Sequence, residues 1–158
     1  MELKYDVALS YASEDRYYVK EVAEILRDSG VKVFYDEFEE SNLWGKNLYT
    51  YLRSIYKKEA RYTIIFCSAN YAKKLWTNHE RESAQERAFK ENSEYILPAR
   101  FDDTEIPGLQ STIAYINLRE KTPYEFCLII GEKLNITILK KERVNQSLHE
   151  AVNKTLED

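Results

Sequence analysis

Glycine is scarce in this sequence of 158 residues, which contains only four, and they form neither a G-x-G-x-x-G nor a G-x-x-x-x-G-K pattern. A dinucleotide-binding Rossmann loop and a P-loop both need those glycines, because their backbone must come close to phosphate groups. The sequence therefore argues against both kinds of phosphate-binding loop.

Cysteine and histidine are also scarce, with two residues of each. Cys67 and Cys127 both lie inside apolar runs, which is typical of buried thiols in a reducing compartment rather than of a disulfide framework. His79 has no cysteine or second histidine near it in the sequence. We therefore expect no metal site and no catalytic thiol.

Long apolar segments are missing too. The N-terminus lacks the basic and apolar regions of a secretion signal, and no stretch approaches the roughly 20 apolar residues that span a bilayer. The net charge of −4 gives no indication of the clustered basic surface that nucleic acids need. We expect a cytoplasmic protein that binds neither membrane nor nucleic acid.

The first part of the chain predicts a strand, a helix and a stop. Residues 5–10 are apolar between polar neighbours and predict a buried strand, and Ser13 is the predicted N-cap of the next helix. Gly30 is its predicted C-terminal stop. The apolar residues that recur at helical spacing between these two ends are Val19, Val22, Ala23 and Leu26.

The second part predicts a strand at Val31–Asp36 and an exposed polar loop at 37–42, which Leu43–Lys46 closes. A helix with a buried stripe at Leu48, Leu52 and Ile55 should follow. Residues 62–68 are apolar almost throughout, which predicts a central strand that is covered on both faces.

The third part predicts a helix from about Leu75 to about Lys90 and strands at Tyr95–Arg100 and Ile113–Leu118. Pro98 argues against a central place for the first of these strands. Pro123 should begin a helix that runs to about Leu134. Five strands alternating with helices predict an α/β fold with a parallel sheet, in which ligands bind outside the carboxyl ends of the strands.

The tail, residues 139–158, is separated from the predicted domain, residues 1–138. It carries an apolar stripe in a polar background at Val144, Leu148, Val152 and Leu156. A linker or terminal extension and an oligomerising helix are both compatible with this pattern.

Trp76 and Glu80 lie one helical turn apart, so they share one helix face. On this spacing alone, an anchoring tryptophan beside a solvated glutamate explains the pair. Glu82 and Glu86 compete for any role as the acid, but at about 100° per residue they lie about 200° and 240° around the helix from Glu80.

Three segments together resemble the Toll/interleukin-1 receptor (TIR) domains. Residues 5–12 are similar to their first conserved box, residues 33–36 with Gly45-Lys46 resemble their second strand and BB loop, and Trp76 with Glu80 resembles the Trp-x-x-x-Glu element of the NAD-cleaving members. The likeness covers residues 4 to about 134. It implies a flavodoxin-like TIR fold of the bacterial enzymatic type, since the loop lacks the Arg-Asp-x-x-Pro-Gly pattern of animal adaptors.

The resemblance implies that the chain is an NAD⁺ hydrolase or ADP-ribosyl cyclase, with NAD⁺ as a substrate and no cofactor. Glu80 would be catalytic. Nicotinamide leaves as a neutral pyridine, so one carboxylate that stabilises the ribosyl cation is sufficient and no general acid is needed. The predicted substrate-binding residues, taken from the resemblance and from the strand ends, are Ser10, Tyr11, Ser13, Asp36, Trp44, Lys46, Ser68 and Trp76.

Several alternatives stay open at this stage. Lys46 or Arg16 could meet the pyrophosphate, and either water or the folded-back adenine could capture the ribosyl cation. The resemblance implies self-association through the loop from Glu37 to Trp44, unless Phe38 and Trp44 fold back on their own domain. A role in bacterial anti-phage defence or immune signalling is expected. The alternative function is a non-enzymatic module that signals by TIR–TIR contact.

Overall fold

A five-stranded sheet forms the frame of the chain in the computed structural model, which describes residues 3–76, 95–109 and 112–140. The strands are Tyr5–Ser10 (β1), Val33–Phe34 (β2), Ala60–Cys67 (β3), Ile96–Arg100 (β4) and Ile116–Asn117 (β5). The α-helices are Arg16–Asp28 (α1), Glu40–Leu43 (α2), Leu48–Ser54 (α3), Ala69–Trp76 (α4) and Pro123–Leu134 (α5). Two 3₁₀ turns, Ser13–Asp15 and Asp36–Glu39, and one π-helical turn, Ile55–Glu59, complete the elements.

The strand order is β2-β1-β3-β4-β5, and every ladder is parallel. The predicted parallel α/β fold is therefore confirmed, with β3 at the centre. Its central place follows from apolar residues on both faces, because Ile64 and Ile65 point to opposite sides and are both buried. Strand β4 is next to the edge, and its ladder with β5 begins at Ala99, one residue after Pro98.

Helices α1 and α5 cover one face of the sheet. The four apolar residues predicted for α1 are all fully buried, and they share a core cluster with Phe66 of β3 and Phe126 of α5. The thiol of Cys127 points at the backbone carbonyl of Val22, 3.6 Å away. Burial raises the pKa of this thiol to about 12 and that of Cys67 to about 11, so both cysteines are uncharged packing residues.

The ends of these two helices follow local chemistry. Helix α1 ends before Gly30, whose φ of 86° favours glycine. Helix α5 begins at Pro123 behind a capping box, in which the Thr122 side chain accepts from the backbone of Glu125 and the Glu125 side chain accepts from the backbone of Thr122. The predicted cap at Ser13 is wrong, because the 3₁₀ turn lies between β1 and α1 and Asp15 occupies the position before α1.

Several predicted boundaries are also wrong. Strands β2 and β5 are two residues long, and residues 36–43 are helical rather than an irregular loop. Helix α4, Ala69–Trp76, was not predicted, and the helix predicted from about Leu75 to about Lys90 lies outside the described residues after Trp76. A helix is predicted from apolar residues that recur at helical spacing. The buried residues of α4, Tyr71 and Ala72, are adjacent in the chain and do not form such a repeat.

Two apolar side chains near α2 differ in burial: the prediction for Leu48 is wrong, and the open question for Phe38 is decided by its packing. Leu48, predicted to be buried, is 53% exposed at the first residue of α3. Phe38, for which exposure and folding back on its own domain both stayed open, packs edge-on against Tyr35, and the Arg27 guanidinium lies over its ring at 4.5 Å. Among the described residues, no helix has the length and apolar character of a membrane span.

Candidate functional site

The carboxyl ends of the parallel strands meet at one edge of the sheet and bring together residues that are distant in sequence. Strand β1 ends at Ser10 with Tyr11 after it, and β3 ends just before Ser68. Asp36 follows β2, which lies beside β1. Four predicted site residues therefore share the edge at which parallel sheets bind ligands.

Tyr11 and Asp36 form the centre of this edge. The Tyr11 hydroxyl donates to Oδ1 of Asp36 at 2.5 Å, and the backbone N–H of Glu37 donates to the same oxygen at 3.0 Å. The Tyr11 ring stacks on Tyr35 with 5.6 Å between the ring centroids. Burial, with the bond to Asp36, holds the pKa of Tyr11 far above its usual range, so its hydroxyl stays a donor.

Arg16 belongs to the same group of residues. Its Nε lies 2.9 Å from Oε1 of Glu37, while the hydroxyl of Tyr35 donates to Oε2 of Glu37 at 2.8 Å. A hydrogen bond with Tyr11 and the charge of Glu37 raise the pKa of Arg16. Lys46, the other cation predicted for the pyrophosphate, instead donates to Asn42 at 3.0 Å and lies 4.0 Å from the centre of the Tyr51 ring.

Ser10 and Ser68 are buried, and their hydroxyls are bonded within the domain. The Ser10 hydroxyl lies 2.8 Å from the hydroxyl of Tyr71. The Ser68 hydroxyl donates to Oδ2 of Asp15 at 2.6 Å and accepts from the backbone N–H of Tyr71 at 3.0 Å. Ser68 thus caps α4, and both serines connect this helix to the edge of the sheet.

The remaining predicted residues fall outside this group. Ser13 is exposed in the 3₁₀ turn after β1. Trp44 is 88% exposed after α2 and precedes Gly45, whose φ is 85°. The backbone of Trp76 ends the described part of α4, but its side chain is not described, and Glu80 lies outside the described residues, as do Glu82, Glu86 and the tail from residue 141.

Four residues that build this edge were not predicted from the sequence: Asp15, Tyr35, Glu37 and Tyr71. Only Tyr71 has a local signal in the sequence. Ser68 comes directly after a strand, as a helix N-cap residue does, and Tyr71 is three residues later, at the position whose backbone N–H such a cap accepts from. Among residues 3–76, 95–109 and 112–140, no group of three or more histidine, cysteine or acidic side chains could hold a metal ion.

A separate apolar cavity of about 200 Å³ lies at the β5 edge of the sheet, between β4, β5 and α5. Tyr115, which is 45% exposed, is part of its lining. Lys133 is the charged residue of that lining. In the strand order, β5 and β2 are the two opposite edge strands. The cavity lies at β5, whereas Trp44 comes after β2 and α2 in the chain.

The sequence matches the family model described as TIR domain over residues 7–128. The solved TIR domain of a Toll-related receptor from Hydra magnipapillata has the same fold, with a TM-score of 0.60 and 19% identity over 83% of this chain and 98% of that chain.

Three curated relatives are enzymes by name. The chain is 65% identical over 131 residues to the 3′ cyclic ADP-D-ribose synthase AaTIR of Aquimarina amphilecti, a match that covers 83% of this chain and 40% of that protein. It is 35% identical over 98 residues to the 2′ cyclic ADP-D-ribose synthase AbTIR of Acinetobacter baumannii, covering 61% and 35%. It is 33% identical over 97 residues to the NAD(+) hydrolase TcpC of Escherichia coli, covering 60% and 30%. The matches span 40% or less of the length of these relatives.

Proposed function

The chain belongs to the TIR domain family, and we propose that it cleaves the bond between nicotinamide and ribose in NAD⁺. The observation that carries this proposal is the 65% identity to a named 3′ cyclic ADP-D-ribose synthase across 83% of the chain. The residues at the carboxyl edge of the sheet support it, because the Asp36 carboxylate and the Arg16 guanidinium lie there on either side of Tyr11.

In the proposed cleavage of NAD⁺, the carboxylate of Asp36 accepts a hydrogen bond from a ribose hydroxyl. Its Oδ1 already accepts from Tyr11 and from the backbone of Glu37, while within the described residues its Oδ2 accepts no hydrogen bond. That oxygen is open to a donor from the substrate. Arg16, with its side chain 49% exposed, is the cation beside Tyr11 and meets the pyrophosphate. Lys46 is bonded to the α2–α3 segment.

Glu80 stays the predicted catalytic residue. Its carboxylate stabilises the positive charge that develops on the ribose as the C–N bond breaks. Nicotinamide leaves with the electron pair of that bond as a neutral molecule, so no proton needs to be supplied. Trp76, which precedes Glu80 by one helical turn, is the predicted wall of the site.

We infer that the ribosyl cation is captured within the same molecule, as the name of the relative from Aquimarina amphilecti implies for its product. A hydroxyl oxygen of the adenosine ribose forms the new bond to the cationic carbon and loses its proton to solvent. One NAD⁺ then gives one cyclic ADP-ribose isomer, one nicotinamide and one proton. Capture by water would give linear ADP-ribose.

Product analysis tests this proposal. NAD⁺ incubated with the protein should release nicotinamide and an equal amount of a product with the mass of cyclic ADP-ribose that co-elutes with the 3′ isomer. Linear ADP-ribose as the main product would make the chain a hydrolase. Intact NAD⁺ after prolonged incubation at high protein concentration would contradict the proposed cleavage and favour the non-enzymatic module that signals by TIR–TIR contact.

We also propose that the chain self-associates head to tail, with Trp44 of one copy in the β4–β5–α5 cavity of the next. Trp44 and Leu48, 88% and 53% exposed, are large apolar side chains on the segment that follows β2 in the chain, and the cavity lies at the β5 edge of the sheet. The loop is acidic at Glu40, and the cavity has Lys133 in its lining, so the charges are complementary. Such a contact is heterologous and can continue from copy to copy.

Complementation by mixing distinguishes this arrangement from a symmetric dimer. Ala114 lines the cavity and is exposed, so Ala114→Glu should block the cavity without disturbing the core. Trp44→Ala and Ala114→Glu should each fail to assemble alone, but a mixture should form heterodimers through the intact Trp44 of one and the intact cavity of the other. A mixture that stays monomeric by light scattering, when the parent assembles, would contradict the head-to-tail contact. The cytoplasmic location and the defence role stay predictions from the sequence.

A further inference from the structure

The first turn of α4 is held by three side chains from other parts of the chain. Ser10 of β1 reaches the hydroxyl of Tyr71 at 2.8 Å, and Asp102 accepts from the backbone N–H of Ala69 at 2.9 Å. Asp15 reaches the turn through Ser68, the residue that caps it. These bonds set how α4 leaves the carboxyl edge of the sheet.

The bond between Ser68 and Asp15 fixes which way the serine hydroxyl points. A serine hydroxyl has one proton to donate and lone pairs that accept. Here the proton goes to Oδ2 of Asp15 at 2.6 Å, so a lone pair is left facing the N–H of Tyr71 at 3.0 Å. An ionised carboxylate can only accept, and Asp15 therefore enforces this polarity.

Helix α4 leads directly to the residues that the proposed function needs. It ends at Trp76 in the described part of the chain, and Glu80 follows four residues later. Catalysis is sensitive to small displacements, since a shift of about 1 Å in a reacting group can cost roughly a hundredfold in rate. A change in the first turn of α4 is carried along the helix to Trp76.

We propose that Asp15 is a positioning residue for the proposed NAD⁺ cleavage, because it holds the first turn of α4 in place through Ser68. The proposal rests on the proposed function. Asp15 need not touch the substrate. Its carboxylate selects the orientation of the Ser68 hydroxyl, and the capped helix then sets the position of the Trp76 backbone, four residues before Glu80 in the sequence.

The test compares Asp15→Ala with Asp15→Asn and with Glu14→Gln. Asparagine keeps an oxygen that accepts from the Ser68 hydroxyl, whereas alanine removes it. Glu14 is the exposed acid beside Asp15 in the same turn and is the control for loss of charge. For Asp15→Ala we expect kcat to fall by roughly tenfold to a hundredfold with KM for NAD⁺ nearly unchanged. Asp15→Asn and Glu14→Gln should stay close to the parent.

Hydrogen–deuterium exchange gives a readout that does not depend on activity. Asp15→Ala should speed the exchange of amides in residues 69–76 and leave those of α5 unchanged, and Asp15→Asn should restore protection. Ser68→Ala should produce the same changes, and adding Asp15→Ala to it should add little, because the two side chains act as one unit.

Three results would overturn the proposal, two of which concern Asp15→Ala. One is equal exchange in α4 for the parent and Asp15→Ala, and the other is a kcat for Asp15→Ala equal to that of Glu14→Gln. If the parent itself releases no nicotinamide, the proposed function fails, and the exchange data alone then decide whether Asp15 holds α4. An equal loss of kcat in Asp15→Asn would show that the charge acts directly and would also overturn the positioning role.

Discussion

The hydroxyl of Tyr11 lies 2.5 Å from the carboxylate of Asp36, and this bond joins the ends of β1 and β2 across 25 residues of sequence. It holds the start of the acidic segment 36–43 at the edge of the sheet where the ligand is proposed to bind. Because Tyr11 is buried, water cannot fully replace this hydrogen bond when it is removed.

Tyr11→Phe should lower the free energy of unfolding by about 1–2 kcal/mol, since the ring still stacks on Tyr35 while the hydroxyl's bond to Asp36 and its contact with Arg16 are lost. Urea unfolding measures the change. Tyr17→Phe is the matched control, because Tyr17 is 90% exposed and its hydroxyl lies in water. Equal losses in the two variants would show that the bond to Asp36 contributes nothing specific.

The pH dependence of stability should differ in sign between Asp15 and Asp102. Burial raises the pKa of Asp15, so its ionised form costs stability above that pKa, and the cost disappears as pH falls below the usual value for aspartate. Asp15→Asn should thus be at least as stable as the parent at pH 7, and this advantage should vanish near pH 3.

Asp102 should behave in the opposite way. Burial opposes its ionisation, but hydrogen bonds from Thr104 and from the backbone of Ala69 outweigh burial and lower its pKa. Its stabilisation is present above the usual aspartate pKa and is lost as pH falls through the lowered one. Asp102→Asn should therefore destabilise the protein at pH 7. Urea unfolding from pH 3 to pH 7 checks both variants, and curves of the same sign would refute this assignment.

Glu80→Gln should abolish the release of nicotinamide from NAD⁺, because the amide cannot stabilise a developing positive charge as a carboxylate does. Thermal unfolding should be nearly unchanged, because the sequence predicts Glu80 at a partly exposed helical position, where substitutions usually have small effects on stability. Glu82→Gln and Glu86→Gln, predicted on other sides of the helix, should keep most of the activity. A Glu80 variant as active as the parent would end the catalytic assignment.

Trp76→Ala should lower both stability and activity. The sequence predicts Trp76 as an anchoring aromatic, and removing a large buried aromatic costs about 3–5 kcal/mol. Thermal unfolding and nicotinamide release measure the two effects separately. Reduced activity with an unchanged melting temperature would identify Trp76 as a ligand-facing wall rather than an anchor.

Activity should rise with protein concentration if the site is completed by a second copy, as the resemblance implies. Trp44→Ala should flatten this dependence without lowering the melting temperature, because the side chain is 88% exposed. Tyr17→Ala removes an equally exposed aromatic from α1 and should keep the dependence. A constant turnover per chain across a wide dilution series, with a monomeric mass throughout, would show that one copy suffices.

The sequence by itself determined the elements whose signals are local. Apolar runs predicted β1 and β3, helical spacing predicted the buried face of α1, and Pro123 predicted the first residue of α5. Residues within a few positions of one another carry this information, because burial and capping depend on neighbours along the chain. The alternation of strands and helices was then sufficient for the parallel α/β fold.

Only the tertiary structure decided which polar groups meet. The pairs Tyr11–Asp36, Ser68–Asp15 and Ser10–Tyr71 are 25, 53 and 61 residues apart and come together because β1 lies between β2 and β3. Periodicity shows which side of an element is buried, but not which element covers it. For the same reason the sequence left the packing of Phe38 open and did not predict the exposure of Leu48, since both depend on how the segment after β2 folds over the sheet.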